Sequence, residues 1–187
     1  MDTLVSHLNS IHPLSEQLHY HLLKVLKTGR VGKKQYLLKM GSVCRNIYFI
    51  QSGLIRHFRP GEGDGTTLCF MKENDVVYSA CSFYNQSPSS EFIQAIEPTE
   101  YYYMSLSELL DTFSKFREFN GILWQLTAHY HERRTQDDYA LRMPLAGDRL
   151  KYMMNNRPEF VLRVPRKLLA SYLGCTPVTL SRVWRWG

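Results

Sequence analysis

The chain has 187 residues, with 23 Lys+Arg against 17 Asp+Glu, a formal net charge of +6, and 44% hydrophobic residues. This length holds one large or two small domains with a buried core, and the composition excludes a disordered or collagen-like chain. No apolar run reaches the roughly 18 residues of a membrane span, and Met1-Asp2-Thr3-Leu4 lacks the basic and apolar stretches of a secretory signal, so a cytoplasmic protein without a membrane partner is expected.

Residues 3–28 read as two helical pieces. Leu4, Val5, Leu8 and Ile11 recur at helical spacing, as do Leu18, Leu22, Leu23, Val25 and Leu26 beyond the Pro13 break. Ser15 is placed to cap the second piece, and Gly29 is expected to stop it. From Gly32 to Ser105 short β-branched and aromatic runs follow: Tyr36–Leu38, Ile47–Ile50, Leu54–Phe58, Thr67–Phe70, Phe92–Ile96 and Tyr101–Met104. Glycines separate them, which predicts an antiparallel roll or barrel. The Gly61-Glu62-Gly63-Asp64-Gly65 stretch is read as a hairpin tip, because no helix start or Lys-Ser/Thr follows it to make a phosphate loop.

Ser107-Glu108-Leu109-Leu110 opens a short helix, and a longer one is expected from about Phe116 to Leu141. Phe116, Leu123 and Tyr130 fall seven apart, as do Phe119, Leu126, Arg133 and Ala140, so the helix carries a coiled-coil-like seam. A helix of about 39 Å, at 1.5 Å per residue, cannot bury that stripe on a small β-roll. Pairing with a second copy is one solution, and packing within the same chain is the other. Arg133 and Asp137 interrupt the apolar pattern, which predicts a looser C-terminal half.

The last 46 residues hold nine Lys+Arg against Asp148 and Glu159, a net of +7, whereas residues 1–141 sum to −1. Such concentration points to a polyanion partner, with a solvated basic surface as the competing reading. In this tail Pro165 suits the first turn of a helix, Leu168, Leu169 and Tyr172 give it an apolar face, and small Ala170 permits a close crossing. Gly174 can take a left-handed turn, Thr176 can cap a second helix with Pro177 at its first position, and Leu180 and Val183 return that helix to the core. This is the packing of a DNA-reading helix-turn-helix. Val178, Thr179, Ser181, Arg182 and Arg185 face outward on the second helix, and Arg166, Lys167 and Thr176 add contacts to phosphates or base edges.

Three segments together resemble the CRP/FNR family of bacterial transcription regulators. Ile47-Tyr48-Phe49-Ile50-Gln51-Ser52-Gly53-Leu54-Ile55-Arg56 is similar to a strand pair of its cyclic-nucleotide-binding roll. Gly147-Asp148-Arg149-Leu150 with Pro158 resembles the entry to its DNA-binding domain, and Leu169–Gly174 with Thr179–Arg182 resembles its helix-turn-helix. The resemblance implies an α+β fold: a double-stranded β-helix (jelly-roll) sensor over 1–115, a dimerisation helix over 116–142 and a helix-turn-helix domain over 143–187. It also implies double-stranded DNA, a second copy and RNA polymerase as partners.

Departures from the family pattern shape the expected mechanism. Cyclic-AMP-binding members carry a Gly-Glu pair and, further on, an Arg for the cyclic phosphate. Here Val76–Phe83 lacks the Glu, and Ser90 or its neighbour stands where the Arg belongs, beside Glu91. A phosphate without a cationic partner loses its charge-assisted hydrogen bonds, so cyclic AMP and cyclic GMP are expected to bind poorly. The effector pocket is assigned to Val77, Tyr78, Ser79, Ser89 and Ser90, with the effector unknown. Val178 replaces the Glu of well-studied members, which predicts a different operator. The sequence runs only to Trp184-Arg185-Trp186-Gly187, so a full β-wing is not expected.

No cofactor or metal is indicated. Cys44, Cys69, Cys81 and Cys175 form no CxxC pair and read as reduced, partly buried thiols, and no cysteine precedes Cys44 to hold an iron–sulfur cluster. His19/His21 and His129/His131 are two apart and point to different helix faces, while His57 alone lies in a clear strand, which leaves haem and cupin-type metal chemistry without a ligand set. No nucleophile–base pair stands out, so an enzyme is not expected. A ligand- or protein-binding roll with a vestigial DNA-binding domain is the alternative to a regulator.

Overall fold

The structure, a computed structural model, describes residues 2–61 and 63–185. Helices α1 (Asp2–Ile11) and α2 (Glu16–Val25) flank the Pro13 break. Ser15 caps α2 by accepting the Leu18 N–H and donates its own hydroxyl to Glu118 Oε1 at 2.6 Å. Gly29 does not stop this helix: α2 ends at Val25, with Leu26 as its extended C-cap, and Gly29 lies inside strand β1 (Lys27–Val31).

The roll consists of β1 with β2 (Tyr36–Leu38), β3 (Asn46–Ser52), β4 (Ile55–Arg59), β5 (Thr66–Met71), β6 (Val76–Val77), β7 (Phe92–Ala95) and β8 (Thr99–Ser105), with a six-residue helix α3 (Ala80–Asn85) after β6. They form two four-stranded sheets in the orders β1-β8-β3-β6 and β2-β7-β4-β5. The pairings of β3 with β8 and of β2 with β7 are antiparallel, as the alternation of the sequence requires. Ile47, Phe49, Leu54, Ile55, Phe83, Ile93 and Met104 make the core between the faces. The turn between β3 and β4 depends on Gly53, whose φ of 110° and contact with Thr99 leave no room for a Cβ. The Gly-rich stretch does join β4 to β5, with Gly63 and Gly65 at positive φ; Glu62 lies outside the described residues.

Helix α4 (Leu106–Lys115) starts with a complete capping box, Ser105 and Glu108 each satisfying the other's backbone N–H. Helix α5 (Arg117–Leu141) follows, and α6 (Ala146–Asn156), α7 (Pro158–Arg163), α8 (Arg166–Tyr172) and α9 (Pro177–Trp184) complete the chain. Phe116 lies outside the long helix, because it is the extended C-cap of α4, with φ −128° and ψ 97°. The seam therefore begins at Phe119. Two compact units result: residues 1–57 with 71–128, and residues 58–70 with 129–187. Their boundary falls within α5 and takes the end of the β4–β5 hairpin into the second unit. Among the described residues no helix is long and apolar enough to cross a membrane. Cys44 is buried, Cys69 and Cys175 are half-buried and Cys81 is exposed, none of them in a disulfide.

Candidate nucleic-acid interface

The second unit is organised around the crossing of α8 and α9. Leu150 and Met153 of α6, Phe160 of α7, Val164, Leu169, Ala170 and Leu180 are all buried, which fixes the last helix on its neighbours. Pro165 is the N-cap of α8 rather than a residue of its first turn. At the other end Gly174, at φ 61°, closes a Schellman motif: the Gly174 N–H donates to Ser171 O at 3.3 Å and the Cys175 N–H to Ala170 O at 3.0 Å. Thr176 then caps α9 by accepting the Thr179 N–H at 3.0 Å, with Pro177 at the first helical position. Each step is local turn chemistry, and together they set the angle at which α9 is presented.

Arg166, Lys167, Thr176, Val178, Ser181, Arg182 and Arg185 are exposed, and Thr179 is half-buried. The Thr179 hydroxyl lies 2.9 Å from that of Thr176, so it belongs partly to the cap. The Arg166 guanidinium stands 4.6 Å from the Trp184 ring centroid, and Lys167 Nζ lies 2.8 Å from Asp64 Oδ2. Arg182 thus extends from the same helix as Val178 and Ser181, with Arg185 at its C-cap, and both can meet a phosphate or a base edge. Trp186 and Gly187, on which the expected lack of a wing rests, lie outside the described residues.

Asp137 organises the interior of this unit. Its carboxylate is buried, paired with Arg157 Nη2 at 3.1 Å and accepting from Tyr172 OH at 3.3 Å and Tyr152 OH at 3.4 Å. Burial, reinforced by this carboxylate, pushes the Tyr172 phenol far above its ordinary range, so it remains a hydrogen-bond donor. Along α5, Phe119 is buried, whereas Leu123, Leu126, Tyr130 and Arg133 are half-buried and Trp124 is 73% exposed.

The sensor cassette closes on itself. Ser79 donates to Glu91 Oε1 at 2.6 Å, Ser89 Oγ donates to Glu91 O at 3.0 Å, and the Glu91 N–H donates back to Ser89 Oγ at 3.1 Å. Of the five residues assigned to an effector pocket, Ser79 and Ser89 come together, Tyr78 stacks edge-on against Phe83 at 5.4 Å, Val77 is wholly buried and Ser90 is exposed. Glu91 and Asp64, neither among the expected site residues, place carboxylates on the cassette's Ser79 and on Lys167. Their presence was readable in the sequence, but their contacts require the folded cassette and hairpin.

Residues 29–116 match the cyclic nucleotide-binding domain family. Similar solved structures include FixK2 from Bradyrhizobium japonicum, at 18% identity and TM-score 0.73, covering 87% of this chain and 84% of that one. A CooA mutant from Carboxydothermus hydrogenoformans has 19% identity and TM-score 0.70, covering 99% and 84%. The c-di-GMP responsive global regulator CLP from Xanthomonas campestris has 17% identity and TM-score 0.69, covering 92% and 91%. None of the curated proteins matches the chain. The fold is that of these solved structures: a cyclic-nucleotide-binding roll, a long helix and a helical C-terminal region.

Proposed function

We propose that the chain is a DNA-binding transcription regulator that acts as a homodimer. The observation that carries this reading is the α8–turn–α9 arrangement, whose second helix exposes Val178, Ser181, Arg182 and Arg185 in a segment of net charge +7. The half-buried Leu123, Leu126 and Tyr130 on α5 support pairing with a second copy, which would cover this apolar stripe. A two-fold dimer presents two α9 helices to a pseudo-palindromic operator with half-sites about 34 Å apart. The effector is not cyclic AMP, because the cassette offers a phosphate the Glu91 carboxylate instead of a guanidinium.

Selection of genomic fragments by the full chain, followed by fluorescence anisotropy on the selected duplex, tests the reading. Arg182→Ala should cost about 1–3 kcal/mol on that duplex and relax its sequence preference. Equal affinity of the unaltered chain for the selected duplex and for a scrambled one would remove the proposal.

A further inference from the structure

The near-neutral total of residues 1–141 conceals an uneven distribution. Residues 17–61 contain nine Lys and Arg (Lys24, Lys27, Arg30, Lys33, Lys34, Lys39, Arg45, Arg56 and Arg59) and not one Asp or Glu. All but Arg59 lie in the first unit, which is therefore basic along this stretch, its acidic residues lying elsewhere in the chain. Three of the cations converge on one cleft.

The cleft has a volume of about 500 Å³ and is lined by Arg30 from the end of β1, Lys34 from the β1–β2 turn, Tyr36 of β2, Lys39 just beyond it, Tyr48 of β3 and Tyr101 of β8. The cleft is open to solvent rather than enclosed. Lys34 holds a left-handed backbone, φ 68°, in a turn fixed by its N–H donating to Ala95 O at 2.8 Å and by Gln94 Nε2 donating to its carbonyl at 2.9 Å. These bonds fix the backbone at Lys34, from which its exposed side chain extends at the cleft.

The charge of the lining is only partly compensated. Arg30 Nε pairs with Glu100 at 2.9 Å, whereas Lys39 Nζ stands 5.6 Å from the Tyr36 ring centroid, a cation–π contact rather than an ion pair. The aromatic walls differ in depth. Tyr36 leaves 40% of its surface exposed at the mouth, and Tyr48 is buried, edge-on to Tyr101 at 5.2 Å. Burial raises the Tyr48 phenol to about 12 and the Tyr101 phenol in the same direction, so both stay neutral donors. Tyr36 also lies tilted against Phe92, ring centroids 5.7 Å apart, and its exposed part meets the cleft beside the cations and the phenols; such groups together recognise phosphates joined to a planar base.

We infer that this cleft binds a nucleoside diphosphate or a related ring-bearing polyphosphate, the phosphates on Lys34, Lys39 and Arg30 and the base against Tyr36. The site is separate from the cassette of residues 76–91, which fills its own polar positions. It does not depend on DNA binding.

Isothermal titration of the full chain with ADP and GDP, beside pyrophosphate and adenosine, tests the assignment. At least one diphosphate should bind, pyrophosphate more weakly and adenosine more weakly still. Lys34→Ala combined with Lys39→Ala should lower the affinity by roughly tenfold or more. Tyr36→Ala should weaken the nucleotide but not pyrophosphate. Glu91→Gln and Arg182→Ala should leave nucleotide binding unchanged, which separates the cleft from the cassette and from the basic C-terminal unit. All replaced cleft residues are exposed, and an unchanged melting temperature would show that the fold persists. Failure of both diphosphates to bind at millimolar concentration, or binding indifferent to the cleft variants, would overturn the inference.

Discussion

Lys167 Nζ and Asp64 Oδ2 stand 2.8 Å apart, joining the tip of the β4–β5 hairpin to the first helix of the helix-turn-helix. The neighbouring Ser171 hydroxyl donates to Gly65 O at 3.0 Å and accepts the Thr67 N–H at 3.0 Å, and the Thr67 hydroxyl donates to Leu168 O at 3.4 Å, so the tip is held on α8 by several contacts. Both charged side chains are more than half exposed, and the pair is therefore weak as a stabilising contact. Its effect is on availability, since Lys167 spends its charge on the protein's own carboxylate.

Replacing that carboxylate should show directly in DNA affinity. Asp64→Asn is expected to strengthen association with any duplex by about two- to fivefold at low salt and to steepen its salt dependence. Lys167→Ala should do the reverse on every sequence tested. Anisotropy titrations over a series of salt concentrations measure both slopes, and identical slopes for the two variants would contradict the role given to the pair.

Asp137 illustrates what periodicity alone conceals. In the heptad pattern it reads as a flaw that loosens the end of the long helix. In the fold it is buried, ion-paired with Arg157 at α7's N-cap and accepting from Tyr152 of α6 and Tyr172 of α8. Removing it leaves the Arg157 charge buried without its partner, which costs about 3–5 kcal/mol. Asp137→Ala should therefore lower the melting temperature markedly, and Asp137→Asn less, because the amide oxygen still accepts from one phenol. A change of only a few tenths of a kcal/mol in denaturant unfolding of Asp137→Ala would show that the network carries no stability.

The helix-turn-helix was legible because its turn is written in residue chemistry: Gly174 for positive φ, Thr176 for the cap and Pro177 for the first helical position. The roll was legible from its aromatic and β-branched runs. Strand β1 was not, because Lys27–Val31 is a polar strand at the end of its sheet containing a glycine. The need for Gly29 is tertiary: it pairs with Tyr101, and a Cβ there would come within 2.5 Å of that ring. Phe116 belonged to the heptad arithmetic but sits in the break between helices. The cations of the cleft were visible individually, yet averaging charge over 141 residues erased them.

The cassette makes its own prediction about ligands. Ser79, Ser89 and Glu91 satisfy one another, so cyclic AMP would have to break the 2.6 Å Ser79–Glu91 bond and place a phosphate beside a carboxylate. Cyclic AMP at millimolar concentration should leave the melting temperature of the full chain unchanged. Low-micromolar binding by calorimetry would refute this account of the cassette.

Glu108 ties the roll to α4 and sets an acid limit on that junction. Burial alone would raise its carboxyl, but the Lys27 ammonium at 2.7 Å and the Ser105 N–H and hydroxyl more than offset this and lower it from 4.5 to about 2. The folded value lies below the unfolded one, so the contribution to stability is fully present above about pH 4.5 and is lost as pH falls toward 2. Lys27 is shifted upward, first by its hydrogen bond to Glu108, so its share is present at neutral pH and is lost only on the alkaline side, as pH rises through its raised value. Glu108→Gln retains a side chain able to complete the capping box but cannot titrate. Denaturant unfolding measured from pH 5 down to pH 2 should therefore show a shallower loss of stability in Glu108→Gln than in the unaltered chain. Parallel curves for the two proteins would show that the Lys27–Glu108–Ser105 cluster does not set the acid response.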